Sequence, residues 1–384
     1  MKETLRSIVV IGLAAILAVA CRPASPTQTV SPTLAISAGQ EAILFFSERE
    51  GDQHLYLMTP DGSGVQRLDF DLPPATFFDL PRWAPQLDKF LVSVANQTRS
   101  DSDIYLVERN GRNPINLTNN PGSFETNPVI SPDGQHIAYV AVELDLDVKV
   151  MDVNGHNPIN ITNLPTREIA PQWFPDSHRL LLVSNLEGTP NIYTVQRDGT
   201  GLTNISKGPG EDSSPSLSSD GRRVVFHSDR AGNADIFVVD ADGQNLINLT
   251  QNPSADTEPL WSPDGTKIMF RSDRDGGPDI FVMQADGSTA VNLTKSPEVD
   301  ERGISWSPDS QQLLFTALVN DQLEIFVVGL NTPLVNLTQN AADDFAPLWI
   351  RFGSGSQQRK GCGFSAWRGQ IKREQPDGVY CGCN

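Results

Sequence analysis

Residues 246–281 read Leu-Ile-Asn-Leu-Thr-Gln-Asn-Pro-Ser-Ala-Asp-Thr-Glu-Pro-Leu-Trp-Ser-Pro-Asp-Gly-Thr-Lys-Ile-Met-Phe-Arg-Ser-Asp-Arg-Asp-Gly-Gly-Pro-Asp-Ile-Phe. The Asn of the Asn-Leu-Thr triplet recurs at Asn116, Asn160, Asn204, Asn248, Asn292 and Asn336, in steps of 44 residues. From Pro259 the chain alternates short apolar runs with turn signals. Pro259–Ser262 stops at Pro263-Asp264-Gly265, and Lys267–Arg271 gives way to the polar loop Ser272–Gly277. Asp279–Met283 stops at Ala285-Asp286-Gly287, and Ala290–Leu293 follows. Pro and Gly supply the backbone angles of tight turns, and the β-branched and aromatic residues favour strands. No run approaches ten residues with a 3.6-residue period, which argues against helix. Four short strands per repeat, named A to D in that order, with a period in the forties, predict a β-propeller with one repeat per blade.

Counting markers predicts seven blades. The A marker falls at Trp83, Ile130, Trp173, Leu217, Trp261, Trp306 and Trp349. The C marker falls at His54-Leu55-Tyr56 and then at Ile104, Val148, Ile192, Ile236, Ile280 and Ile325. The repeats begin with a B strand near Ala42 and end with an A strand, Pro347–Phe352. That last strand is expected to pair into the first blade and close the ring, leaving no open edge. A six-bladed ring with one detached repeat is the alternative. The expected class is therefore all-β, with the propeller at residues 42–352.

The flanks differ from this body. Lys2 and Arg6 precede a 13-residue apolar run, Ile8–Ala20, too short to span a bilayer comfortably, which reads as a signal peptide over residues 1–20. Small residues before Cys21 resemble the bacterial lipoprotein box, which implies acylation of Cys21 and anchoring to a membrane. Arg22 gives no signal for inner-membrane retention, and the Pro/Thr/Ser/Ala-rich segment to residue 41 reads as a flexible tether. Residues 353–384 hold Cys362, Cys381 and Cys383 with five basic and two acidic residues, and read as a disordered tail.

The chain has 384 residues and a net charge of −18, which argues against nucleic acid as a partner. His54, His136, His156, His178 and His227 fall at different phases of the repeat, so no His-based metal site is expected. No phosphate-binding Gly-rich loop and no His-Glu-x-x-His occurs; Gly363-Phe364-Ser365-Ala366 lacks the final Gly of a nucleophile elbow. The Asn triplets match glycosylation sequons but recur because strand D recurs, with Asn and Thr expected to hydrogen-bond at the blade edge. The triplets Ser228-Asp229-Arg230 and Ser272-Asp273-Arg274, with Ser47-Glu48-Arg49, read as turns whose Asp caps backbone amides.

Five positions before the A marker stand Glu125, Glu168, Asp212, Asp256, Glu301 and Asp344; the first repeat to carry an A strand has Phe78 there, followed by Asp79. D–A connections and B–C loops share a face, because successive strands alternate direction. These six carboxylates are therefore expected to form a ring at the channel mouth, with some pKa values raised, able to bind calcium or a basic peptide such as the chain's own tail.

The unit Asn-Leu-Thr … Pro-x-Trp-Ser-Pro-Asp-Gly … Ile-x-Phe-x-Ser-Asp-Arg … Asp-Ile-Phe-Val resembles the propeller repeats of the periplasmic TolB family over residues 42–352. Similar repeats occur in propeller domains of prolyl-oligopeptidase-type and tricorn-type peptidases, whose triad lies in a separate domain with no counterpart here. The chain departs from the TolB pattern in its short tether and its seven repeats. The repeats specify the blade rather than the function; the missing catalytic residues point to an exported, lipid-anchored monomer that binds proteins or peptides in the cell envelope, facing the periplasm or the exterior, and catalyses nothing. The alternatives are an envelope enzyme acting on glycan or peptide with channel carboxylates, and a sensor of a small ligand or sugar.

Overall fold

The structure, a computed structural model, describes residues 39–352 apart from 74–76, 79–80, 97, 99 and 296–300. The signal peptide, Cys21 and most of the tether, together with the Cys-containing tail, lie outside the described residues.

The described residues form an all-β propeller fold of antiparallel four-stranded sheets, with no helix and so none long and apolar enough to cross a membrane. Repeats four to seven are separate sheets: Glu168–Asn204, Asp212–Asn248, Asp256–Asn292 and Arg302–Asn336. Repeats two (Phe77–Asn116) and three (Phe124–Asn160) are linked into one larger sheet by a single parallel pairing, Ser102 with Phe124. The remaining sheet draws on both ends of the body. Asp344–Arg351 pairs antiparallel with Glu41–Ser47, which continues to His54–Met58 and Gln66–Arg67.

Apolar side chains fill the spaces between consecutive sheets. Val225, Ile236 and Val238 of repeat five pack with Trp261, Phe270 and Phe281 of repeat six. Leu314, Ile325 and Val327 of repeat seven meet Ile43, Phe45, Tyr56 and Trp349 in the same way. The A-strand tryptophans add a polar latch. Trp83, Trp173 and Trp306 donate their indole N–H to Arg351, Val129 and Leu260 carbonyls of the preceding A strand, at 2.8, 3.0 and 3.2 Å.

The recurring polar residues hold each sheet's edges. Asn248 Nδ2 and Thr250 Oγ1 both donate to Asp235, at 2.7 and 3.2 Å, and Thr250 Oγ1 accepts the Ile236 amide. Repeats two, three and six repeat this arrangement around Asp103, Asp147 and Asp279. The sequon pattern thus reflects strand pairing. In the Ser-Pro-Asp-Gly turn Ser262 Oγ donates to Asp264 at 2.6 Å, and the Asp264 amide donates to Ser310 Oγ of the next repeat at 3.0 Å.

Two features differ from the sequence reading. In repeat six strand A starts at Asp256 rather than Pro259, and strand D is only Val291–Asn292. The early start of strand A accompanies a β-bulge two residues after each acid, where Asn127, Ala170, Ser214, Glu258, Gly303 and Ala346 have φ of 51°, 55°, 50°, 52°, 63° and 53°. The extra residue shifts the pairing with strand B, for example between Thr257 and Leu260, so the strand begins on one side of the bulge and carries its Trp on the other.

Candidate functional site

Asp212, Asp256, Asp344 and Glu168 open their A strands, Glu125 is the second residue of its strand and Glu301 immediately precedes its own; all are buried, Glu125 being 2% exposed and the others 0%. Their partners divide them into two chemical groups. Asp212, Asp256 and Asp344 are each clamped by an arginine two residues beyond the serine that faces them across strands A and B. Arg230 Nη2 lies 2.7 and 2.6 Å from the two Asp212 oxygens, and Arg274 Nη2 2.8 Å from both Asp256 oxygens. Arg49 Nη2 lies 3.1 and 3.3 Å from those of Asp344.

The Ser-Asp-Arg triplet is the whole device. Serine Oγ accepts from arginine Nε, at 2.9 Å for Ser228 with Arg230 and for Ser272 with Arg274. The middle Asp caps the D–A loop as expected, Asp229 accepting the Glu211 amide at 2.8 Å and Asp273 the Ala255 amide at 2.9 Å. The planar guanidinium lies over two aromatic rings that are paired across strands B and C. Its carbon is 5.5 and 5.2 Å from the Phe226 and Phe237 ring centres, 5.2 and 4.9 Å from Phe270 and Phe281, and 5.5 and 4.7 Å from Phe45 and Tyr56. Charge pairing, cation–π contact and backbone capping therefore join the B–C loop to the D–A loop in these repeats. Arg230 Nη1 adds donors to the Ser206 and Lys207 carbonyls, at 2.9 and 3.1 Å.

The glutamates are built differently. In repeat four, Leu186 stands where the arginine would be. Thr166 and Ser184 hydroxyls donate to Glu168 Oε1 at 2.6 and 2.8 Å, while Oε2 has no partner. Asn185 replaces the middle Asp and still accepts the Arg167 amide at 2.9 Å. In repeat three, Ala141 faces Glu125 in place of serine. Glu143 takes the arginine position, and Tyr139 and Lys149 are the cross-strand pair in place of two aromatic rings. Asn120 Nδ2 lies 3.5 Å from both Glu125 Oε1 and Glu143 Oε1, Lys149 Nζ donates to Glu143 at 2.5 Å, and Glu125 Oε2 has no partner. Burial pushes the Glu125 and Glu168 carboxyls above their ordinary value. Mutual repulsion within a ring is not the leading cause. Glu301 begins repeat seven with its carboxylate buried as well.

A cleft of about 470 Å³ opens at repeat three, lined by Leu117, Asn119, Asn120, Glu125, Tyr139 and Lys149 among others. A second, apolar cleft of about 640 Å³ lies between Trp83 and Pro85 on one side and Leu348–Phe352 on the other. Among the described residues no three His, Cys, Asp or Glu side chains converge to hold a metal ion. Calcium held by a ring of free carboxylates is thus not the arrangement found, because three of the six have both oxygens engaged by arginine. The sequence carried a signal for this division that residue-by-residue reading missed: Asp stands where the B–C loop supplies Ser-x-Arg, and Glu where it does not.

Residues 123–245 and 231–304 match the TolB beta propeller domain. No significant match is found among curated protein sequences. Several solved structures share the fold. TolB from Acinetobacter baumannii is 17% identical, with a TM-score of 0.51 over 77% of this chain and 78% of that one. An oligogalacturonate lyase in complex with manganese is 15% identical, with a TM-score of 0.63 over 76% and 86%. A puromycin hydrolase is 15% identical, with a TM-score of 0.61 over 82% of this chain but only 54% of its own length. At these identities the likeness is one of fold. Residues 123–304 thus carry TolB-like propeller repeats, and the described residues share the β-propeller fold of the TolB structure.

Proposed function

We propose that the chain is a non-catalytic propeller that binds proteins or peptides in the bacterial cell envelope, held at a membrane by a lipid on Cys21 and acting as a monomer. The observation that carries this reading is the contrast among repeats. One architecture, repeated along the chain, is closed by the protein's own arginine in repeats one, five and six and is an open polar cleft in repeat three. Loops on a rigid scaffold are the usual place for recognition, and the cleft lies within the roughly 300–1,000 Å³ range of ligand sites.

The same reading takes the propeller as seven blades closed by the C-terminal strand. Its support is the pairing of Asp344–Arg351 with Glu41–Ser47, the Trp83–Arg351 latch and the packing of repeat seven on Ile43 and Phe45. The signal peptide and Cys21 support export and anchoring.

The test is chemical crosslinking of the anchored protein in its native envelope, followed by purification and identification of attached chains. Recovery of a defined protein partner above a Cys21→Ser control supports the reading. Recovery of none, or turnover of a glycan that is lost on mutating Glu125 or Glu168, overturns it in favour of an enzyme.

A further inference from the structure

The open cleft of repeat three retains the acceptors with which this chain elsewhere holds an arginine. In repeat five, Arg230 bonds Asp212 and the carbonyls of Ser206 and Lys207, the second and third residues after Asn204. The matching residues on the wall of repeat three are Glu125, Thr118 and Asn119, the last two standing second and third after Asn116. The backbone conformation matches too, Lys207 and Asn119 having φ of 30° and 43°. Tyr139 occupies the place of Phe226 under the guanidinium. What differs is the donor. Glu143 stands at the arginine position, turned to Lys149 and Asn120, and the buried Glu125, on the cleft wall, keeps its Oε2 without a hydrogen-bond partner. Lys149 does not fill the gap, because its ammonium is bonded to Glu143. Asp103, held by Asn116 and Thr118, adds negative charge close to Glu125.

We propose that this cleft binds the arginine side chain of a partner polypeptide, whose guanidinium takes the place that Arg230, Arg274 and Arg49 occupy in their own repeats. Glu125 and the Thr118 and Asn119 carbonyls accept its N–H groups, and the Tyr139 ring lies beneath it. A planar fork with several donors suits one carboxylate and two carbonyls better than an ammonium does. The walls extend beyond a guanidinium head to Leu117, Met151 and Pro158, which leaves room for the arginine stem and neighbouring backbone. The proposal rests on the protein-binding reading above and names the chemistry by which it would act.

The test uses the full chain and the peptide acetyl-Gly-Gly-Arg-Gly-Gly-amide, with lysine or citrulline replacing the arginine, titrated by calorimetry at low salt. The arginine peptide should bind at least about tenfold more tightly than either replacement. Glu125→Gln should weaken it by a similar factor. Glu143→Arg restores the self-clamp, and should abolish binding while leaving the melting temperature equal or higher. Equal affinity for the citrulline or lysine peptide, or unchanged binding by Glu143→Arg, overturns the proposal. L-arginine amide binding as tightly as the pentapeptide would overturn a polypeptide source. If an envelope partner is captured equally by wild type and Glu143→Arg, this site fails while the protein-binding reading stands. If no partner is captured by either, that reading fails instead.

Discussion

Arg274 Nη2 lies 2.8 Å from both carboxylate oxygens of Asp256, and its guanidinium carbon lies over the Phe270 and Phe281 rings, 5.2 and 4.9 Å from their centres. Asp256 is 0% exposed, so its charge is stabilised by this arginine and local dipoles rather than by water. Removing one partner of a buried pair strands the other charge, which typically costs about 3–5 kcal/mol. Arg274→Ala should lose about that much in denaturant unfolding, and Asp256→Ala combined with it should recover part. A loss below about 1 kcal/mol for the single variant would show that the clamp does not support the fold.

The tight turns discriminate between backbone strain and collision. Gly111 has φ of +82°, and a Cβ there would lie 1.8 Å from the Asp69 carbonyl oxygen. Gly122 has φ of +86° with nothing within 4 Å. Gly122→Ala should therefore cost only the left-handed strain, about 1–2 kcal/mol. Gly111→Ala must also displace the neighbouring backbone at Asp69 and should cost at least twice as much or prevent folding. Equal melting temperatures for the two variants would contradict the close approach of this turn to Asp69.

Glu168 gives a pH dependence with a definite sign. Burial raises its folded pKa above the ordinary 4.5, so the folded state keeps a proton that the unfolded chain releases. The folded state then binds more protons in the window from about the ordinary value up to the raised one, and stability falls as pH rises through it. In Glu168→Gln this dependence is absent. Unfolding measured from pH 4 to pH 8 should show the variant gaining on the wild type as pH rises. A constant difference, or a variant that loses ground, would mean the carboxyl is not destabilised by burial.

The fold was legible because the period is strict and each repeat carries its own turn chemistry: Asn248 and Asp264 announce the ends of strands by the hydrogen bonds they later make. The bulge was not legible, because five of the six left-handed residues, Ala170 and Ala346 among them, are not glycine. The six acids were found by register alone. Their division into clamped and unclamped groups depends on where Arg49, Arg230 and Arg274 reach, and Arg49 reaches an acid 295 residues away in sequence. Glu143, which takes the arginine position of the third repeat, gains its meaning only from its contacts with Lys149 and Asn120.

The anchor makes its own prediction. Two or three acyl chains hold a protein firmly, whereas none leaves it soluble. Cys21→Ser should yield protein in the soluble fraction or left unprocessed. Normal cleavage with retention in membranes after a high-salt wash would remove the lipid from the account.

Recognition of another polypeptide through the open face of repeat three is open to a direct test. A photoreactive amino acid placed at Asn119, exposed on the cleft wall, tests it in the native envelope, with the exposed turn residue Asp242 as the control position. The account predicts a discrete crosslinked protein at Asn119 that is missing at Asp242 and is lost when Glu143→Arg is added. Crosslinks of equal yield at both positions, or none at Asn119, would contradict it.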